Sequence, residues 1–250
     1  MANWNDPRQA QQGYGVSPGL DRTEGRVTFD EGLRKHMLSI YNYMTSGVLL
    51  TGIVAMLAST SEALMQAIFG GGILRWVVLL APLGFVLAMS FGANKFSRPA
   101  LQAMFWGFAV AMGLSLSSIF LIYTGASIAQ TFFATAAAFA GLSLWGYTTK
   151  KDISGWGSFL IMGVVGLIVA SLLNAFLIGS PGLELAISAL GVLIFAGLTA
   201  YDTQRLKTEY QYLRGTEFAG KAVILGALTL YLDFINMFLF LLRFMGAARE

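Results

Sequence analysis

The chain has 250 residues, 56% of them hydrophobic and only 12% charged, and its mean hydropathy is +0.67. Soluble domains carry about a quarter charged residues, so composition alone defines a membrane protein. The absence of cysteine excludes disulfides, thiol chemistry and Cys-ligated metal, and a single His, His36, argues against a zinc centre.

Residues 1–32 are polar, rich in Gly and Gln near the start, and without hydrophobic periodicity, so they read as a disordered cytoplasmic tail. They are too polar for a secretory signal, and the first apolar span serves as its own insertion signal. From residue 33 onward, windows of about 20 apolar residues predict seven membrane helices. These are Leu38–Ser59, Leu74–Gly92, Ala100–Tyr123, Ser127–Tyr147, Gly157–Ile178, Gly182–Tyr201 and Ala222–Met245. Short loops make neighbours antiparallel, so residues 33–250 are expected to form one all-α bundle. Many of the 29 glycines fall inside the spans, where small residues allow close helix contact; Gly163–Gly166 and the stretch from Gly107 to Gly113 are examples.

Thirteen of the 16 Lys and Arg residues lie in the tail and in the second, fourth and sixth loops. By the positive-inside rule this places the N-terminus in the cytoplasm and, after seven crossings, the C-terminus outside. The net charge of +3 follows from that loop bias and does not point to nucleic acid.

The unusual residues are acids. Asp233 lies within the last span, where a carboxylate facing hydrocarbon costs a few kcal/mol or more. Gly226, Thr229, Asp233, Asn236, Phe240 and Arg243 recur at helical spacing and share one face. Ser188, Gly191, Phe195, Thr199 and Asp202 form a matching row on the sixth span. The two acids meet if the last span starts its buried part near Gly226 or tilts. Two simpler readings stay open: Asp202 as a solvated helix-end acid paired with Arg205 or Lys207, and Asp233 as one half of an ion pair with Arg98 or Arg243. Arg243 is placed to snorkel to the far interface. The GxGD context of an intramembrane aspartyl protease is absent, as are P-loop, HExxH and GxSxG motifs, so no enzyme is expected.

The block GALTLYLDFINMFLFLLRFMG, with AYDTQRLK one helix earlier, resembles the Bax inhibitor-1 family over roughly Leu33–Gly246. The resemblance implies a seven-helix bundle with the last helix central, and it carries the family's paired aspartates onto Asp202 and Asp233. It also implies a basic latch residue at Arg98, or at Lys95. Over Leu79–Met89 the second span has no acid, where some bacterial members carry one, so that role is not transferred. The implied function is a pH-sensitive calcium leak: protonated, the two acids clasp the sixth and seventh helices; deprotonated, they repel and offer oxygen ligands. With Asn236, carbonyls and water they make a weak Ca²⁺ site, suited to conduction rather than storage. Thr199, Thr229 and Arg98 are the expected supporting polar groups, and no cofactor is implied. The alternative is a regulator that docks, through its tail, to a membrane-bound ATP-dependent protease or another membrane protein. The implied location is a bacterial inner membrane, with an endomembrane second. Reporter fusions after Ala126 and Gly179 should read as external, and those after Lys95, Lys151 and Arg214 as cytoplasmic; a cytoplasmic signal at Gly179 would overturn the seven-span count.

Overall fold

The computed structural model describes residues 22–249, with side chains from 31 onward. Nine α-helices follow one another among them: α1 (Arg22–Ser59), α2 (Glu62–Phe69), α3 (Ile73–Gly92), α4 (Arg98–Leu116), α5 (Ile119–Ile122), α6 (Gly125–Thr148), α7 (Trp156–Leu173), α8 (Pro181–Leu213) and α9 (Ala219–Met245). One π-helical turn, Asn174–Ile178, extends α7. Seven helical stretches are long and apolar enough to cross a membrane, and all seven coincide with the predicted spans to within a few residues at most ends. The all-α seven-span bundle is therefore the architecture.

The chain divides at Lys35 into two units. In the first, α1 starts at Arg22 and takes in residues 22–32. Extending an existing helix needs no new nucleus, and Glu31 and Lys35 pair at 2.8 Å one turn apart. The rest of the tail, 1–21, lies outside the described residues.

In the second unit, helix starts follow from polar caps at the ends of apolar runs. Ser97 accepts the Ala100 N–H and is followed by Pro99 near the start of α4; Thr124 caps α6; Ser180, followed by Pro181, caps α8. Gly179, at φ 64°, supplies the left-handed turn between the π-turn and α8. Two features escaped the sequence. The α2 helix occupies what reads as a loop, held by buried Met65 and Ile68 and capped by Ser61. The sixth span runs on to Leu213, three turns past Tyr201, where the run FAGLTAYDTQRLK predicts about one further turn of helix.

Helix α9 is the axis. Two thirds of its apolar window is buried (67%), against 11–39% for the other six spans. Leu230, Tyr231 and Met237 are fully buried. Helices α3, α4, α6 and α8 all pack on it. On the α6 side, Phe234 meets the edges of Phe132 and Phe139 at 5.5 Å. On the neighbouring α4 side, Tyr231 sits among Phe105 and Phe108. The rim is apolar and exposed, as at Trp76, Leu83, Phe159 and Val165, which suits contact with lipid.

Close approach depends on particular glycines. A Cβ on Gly146 of α6 would collide with the Ala200 carbonyl of α8, and one on Gly191 would lie 2.5 Å from the Phe240 ring. Gly163 and Gly113 are similarly pressed, by Ile194 and Val54, whereas Gly166 of the same GVVG run faces open space. Backbone cannot yield as a flexible side chain can, so Gly146→Ala should destabilise the detergent-solubilised protein by about 1–3 kcal/mol. Gly166→Ala should stay within about 0.5 kcal/mol. Equal melting temperatures for the two variants would refute this account of the α6–α8 contact.

Candidate functional site

Helices α8 and α9 form an antiparallel hairpin joined by the short link 214–218. Their register is fixed at two levels. Leu206 lies on Gly226 near the link, and the Phe240 ring lies on Gly191 further away, stacked on Phe195 at 5.8 Å. An antiparallel pairing that satisfies both contacts sets residue 202 opposite 229–230, within about one helical turn of Asp233. The two polar rows read from the sequence thus face one another along one seam.

Asp202 and Asp233 meet in that seam. Both are buried, and their side chains lie within hydrogen-bonding reach of each other. Because α8 continues to Leu213, Asp202 is interior to its helix, about 16 Å of rise from the α8 end, while Asp233 is about 21 Å into α9. That extension removes the mismatch in depth that a span ending at Tyr201 would impose. Arg205 Nη1 stands 3.2 Å from Asp202 Oδ1, so the simpler pairing of Asp202 with Arg205 is also present, alongside the acid–acid contact. The arginine side chain is half exposed, 54% against 7% for Asp202.

Asp233 Oδ2 is buried and, among the described residues, accepts no hydrogen bond from another protein group. A buried acceptor left without a donor costs about 1–3 kcal/mol, and more when charged. A surface-like ion pair such as Arg205–Asp202 contributes only about 0–1 kcal/mol, and it engages the other acid. A proton held between the two carboxyl groups is the donor that the geometry allows.

The supporting residues sit differently from expectation. Thr199 donates to Phe195 O (2.8 Å), Thr229 to Leu225 O (3.2 Å) and Asn236 Nδ2 to Leu232 O (2.8 Å). Each is turned back on its own helix. Arg98 is not at the acids: its side chain lies on Gly220, where a Cβ would come within 2.9 Å of Arg98 Cδ. About 20 Å of α9 separates Gly220 from Asp233. Ser97, Pro99 and the α4 cap fix Arg98 at that end of the bundle, so Arg205 is the cation beside the pair. Arg243 is exposed, its guanidinium 5.8 Å from the Phe240 ring centroid. As for metal ligation by Asp202 and Asp233, no cluster of three or more His, Cys, Asp or Glu converges among the described residues, so the site offers two carboxylates.

Sequence reasoning missed a third polar row. Ser127, Thr131, Thr135, Phe139, Ser143 and Gly146 make up the buried face of α6, and Ser143 Oγ lies 3.4 Å from Thr203 Oγ1, one residue beyond Asp202. The signal was present as a spacing of four, masked because Ser, Thr and Ala alternate throughout that span. Also missed was a buried chain across three helices. Tyr231 Oη and Thr51 Oγ1 are 2.7 Å apart, and Thr51 donates to Ala109 O at 2.8 Å. With its one proton committed, Thr51 accepts from Tyr231, which ties α9 to α1 and α4.

These features define a class: an integral membrane protein of seven helices whose central helix joins its neighbour through a buried acid pair. The chain belongs to the Bax inhibitor-1 family, since the family model described as inhibitor of apoptosis-promoting Bax1 matches residues 33–250. It is 48% identical over 249 residues to an uncharacterized protein of Caulobacter vibrioides, covering 96% of this chain and 98% of that one. It is 44% identical over 230 residues to the inner membrane protein YbhL of Escherichia coli, covering 91% and 98%. With the protein YrjE of Lactococcus lactis it shares 41% identity over 230 residues, covering 90% and 97%.

Tyr231→Phe removes the donor to Thr51 and should destabilise the protein by about 1 kcal/mol. In a double-mutant cycle with Thr51→Val the two losses should be clearly less than additive; simple additivity would show that the hydroxyls do not interact.

Proposed function

We propose that this protein is a proton-gated cation pathway, a slow pH-sensitive Ca²⁺ leak of a bacterial inner membrane, in which Asp202 and Asp233 are the gate. The observation that supports it best is the buried Oδ2 of Asp233, which lacks a donor beside a second carboxyl group. Two carboxylates in contact cannot both ionise cheaply, so they titrate as a unit. Holding one proton, they clasp α8 to α9. As pH rises the shared proton leaves, the two negative charges repel, and the seam between α8 and α9 loosens. The freed oxygens are hard ligands that favour Ca²⁺, but two carboxylates fall short of the six to eight oxygens it takes, so the ion is bound weakly and released.

The groups around the pair favour this sign. From α8 Arg205 is the charged group at the pair, and where α6 meets α8 beside Asp202 the polar groups are neutral, Ser143 of α6 and Thr203 of α8. Lys207 is committed to the Tyr147 carbonyl at 2.7 Å. The inner membrane and the cytoplasmic N-terminus rest on the relative YbhL and on the basic loops. The role is transport rather than catalysis, with no bound cofactor. A regulator of a membrane protease would instead respond to loss of the N-terminal tail and tolerate neutral acids.

Purified protein in liposomes should pass Ca²⁺ faster as pH is raised. Asp202→Asn and Asp233→Asn should each keep the fold, since an amide preserves shape and still hydrogen-bonds. Each should also cut the pH response to within about twofold across the range. The double variant should lose little more, as expected of residues acting as one unit. A full pH response surviving in both single variants would rule out the gate.

A further inference from the structure

Beyond Tyr201, α8 runs on for three more turns, and a half-open pocket of about 620 Å³ lies between this extension and the loop joining α6 to α7. Its wall is built. Gln204 Nε2 donates to Lys151 O at 2.8 Å and its Oε1 accepts the Ile153 N–H at 2.9 Å, which pins the loop to α8. Lys207 bonds the end of α6 through Tyr147 O.

The lining carries Lys150, Lys151, Arg205 and Lys207 against Asp152 and Glu209. Asp152 is spent locally: its carboxylate accepts the Ser154 N–H at 2.9 Å, which holds its pKa below the usual carboxylate range. Lys150 and Lys151 are exposed, and among the described residues no carboxylate pairs with either. The pocket therefore carries four cations against two carboxylates, a cationic cup larger than a free phosphate ion needs.

Its depth narrows the ligand. Trp145 ends α6 and Trp156 starts α7, their ring centroids 6.3 Å apart and both about half exposed (41% and 48%). Exposed Trp at helix ends marks the level of lipid headgroups. Basic pockets between membrane helices at this level are suited to anionic headgroups. We propose that the pocket binds the phosphate headgroup of an anionic phospholipid from the adjacent leaflet, with Lys150, Lys151 and Arg205 as its cationic contacts. Arg205 is shared: the guanidinium that reaches the headgroup is the one 3.2 Å from Asp202, so headgroup and acid pair compete for it. Only the consequence for gating rests on the function proposed above; binding does not.

The test is calorimetric titration of the full chain in neutral detergent with dihexanoyl phosphatidylglycerol, dihexanoyl phosphatidylcholine and inorganic phosphate. Phosphatidylglycerol should bind about tenfold or more tightly than phosphatidylcholine, and Lys150→Ala/Lys151→Ala should weaken it by about tenfold at an unchanged melting temperature. Asp202→Asn, which releases Arg205, should tighten it severalfold. Inorganic phosphate binding as tightly as the lipid would make this a free-anion site and overturn the lipid assignment. Equal affinity for the two lipids, or a double-lysine variant that binds normally, would overturn the pocket, and unchanged affinity in Asp202→Asn would remove Arg205 from it. None of these readouts involves ion flux, so a failure here is distinguishable from a failure of the acid gate.

Discussion

The α8–α9 seam confines two carboxyl groups and one half-exposed guanidinium in a space closed by apolar side chains, and the remaining architecture depends on how that conflict is held. The helices cannot slide to separate the acids, because Leu206 on Gly226 and Phe240 on Gly191 fix the register on both sides of them. Nor can the acids reach lipid or bulk water without parting the most buried helix from its neighbour. An ion pair at a half-exposed arginine is worth too little to neutralise two buried charges. The economical state keeps a proton in the seam, and the proposed gate couples loss of that proton to movement of a helix.

Helix α9 is placed to pass such a movement on. Its far face is fastened by the Tyr231–Thr51–Ala109 chain and by rings of Phe105 and Phe108, so α1 and α4 act as a rigid back wall. The α8 side is held by shape contacts and the acid pair alone. Repulsion at Asp202 and Asp233 therefore acts on a contact otherwise built from Phe195, Leu206, Phe240 and the glycines they press on. Along α8, Asp202, Arg205, Glu209 and Tyr212 recur at spacings that share one helical face, and the last three line the basic pocket. One helix face connects the buried acids with the headgroup level.

Much of this was legible in the sequence because hydrocarbon allows little else. Seven apolar windows fix seven helices, and the row from Ser188 to Asp202 and the row from Gly226 to Arg243 carry the spacing that puts them in one seam. What escaped depends on three-dimensional context. The α2 helix has only eight residues, below any apolar threshold, and owes its position to Met65 and Ile68 finding a buried site. The continuation of α8 through polar DTQRLKTEY could not be told from a loop by hydropathy, yet it is what sets the depth of Asp202. Arg98 was a reasonable partner for Asp233 by charge, but helix α4 begins at the wrong end of the bundle for it to reach. Thr199, Thr229 and Asn236 lie on the expected faces and still satisfy themselves on their own backbones, a local option that spacing arguments do not weigh.

Stability does not explain why these positions hold acids. A buried pair of charges replaced by apolar residues of similar volume is often neutral or stabilising in proteins, and the α8–α9 contact already has Phe195, Leu206, Phe240 and two glycines to pack it. Two carboxylates that meet there lower the stability of the seam in every state except the one that holds a proton. In the gate proposed above, that makes the closed form conditional on pH in a way no apolar seam could be, with the exposed half of Arg205 leaving the condition adjustable from the membrane surface. As proposed, the arrangement is a switch element whose resting state is held by a single exchangeable proton.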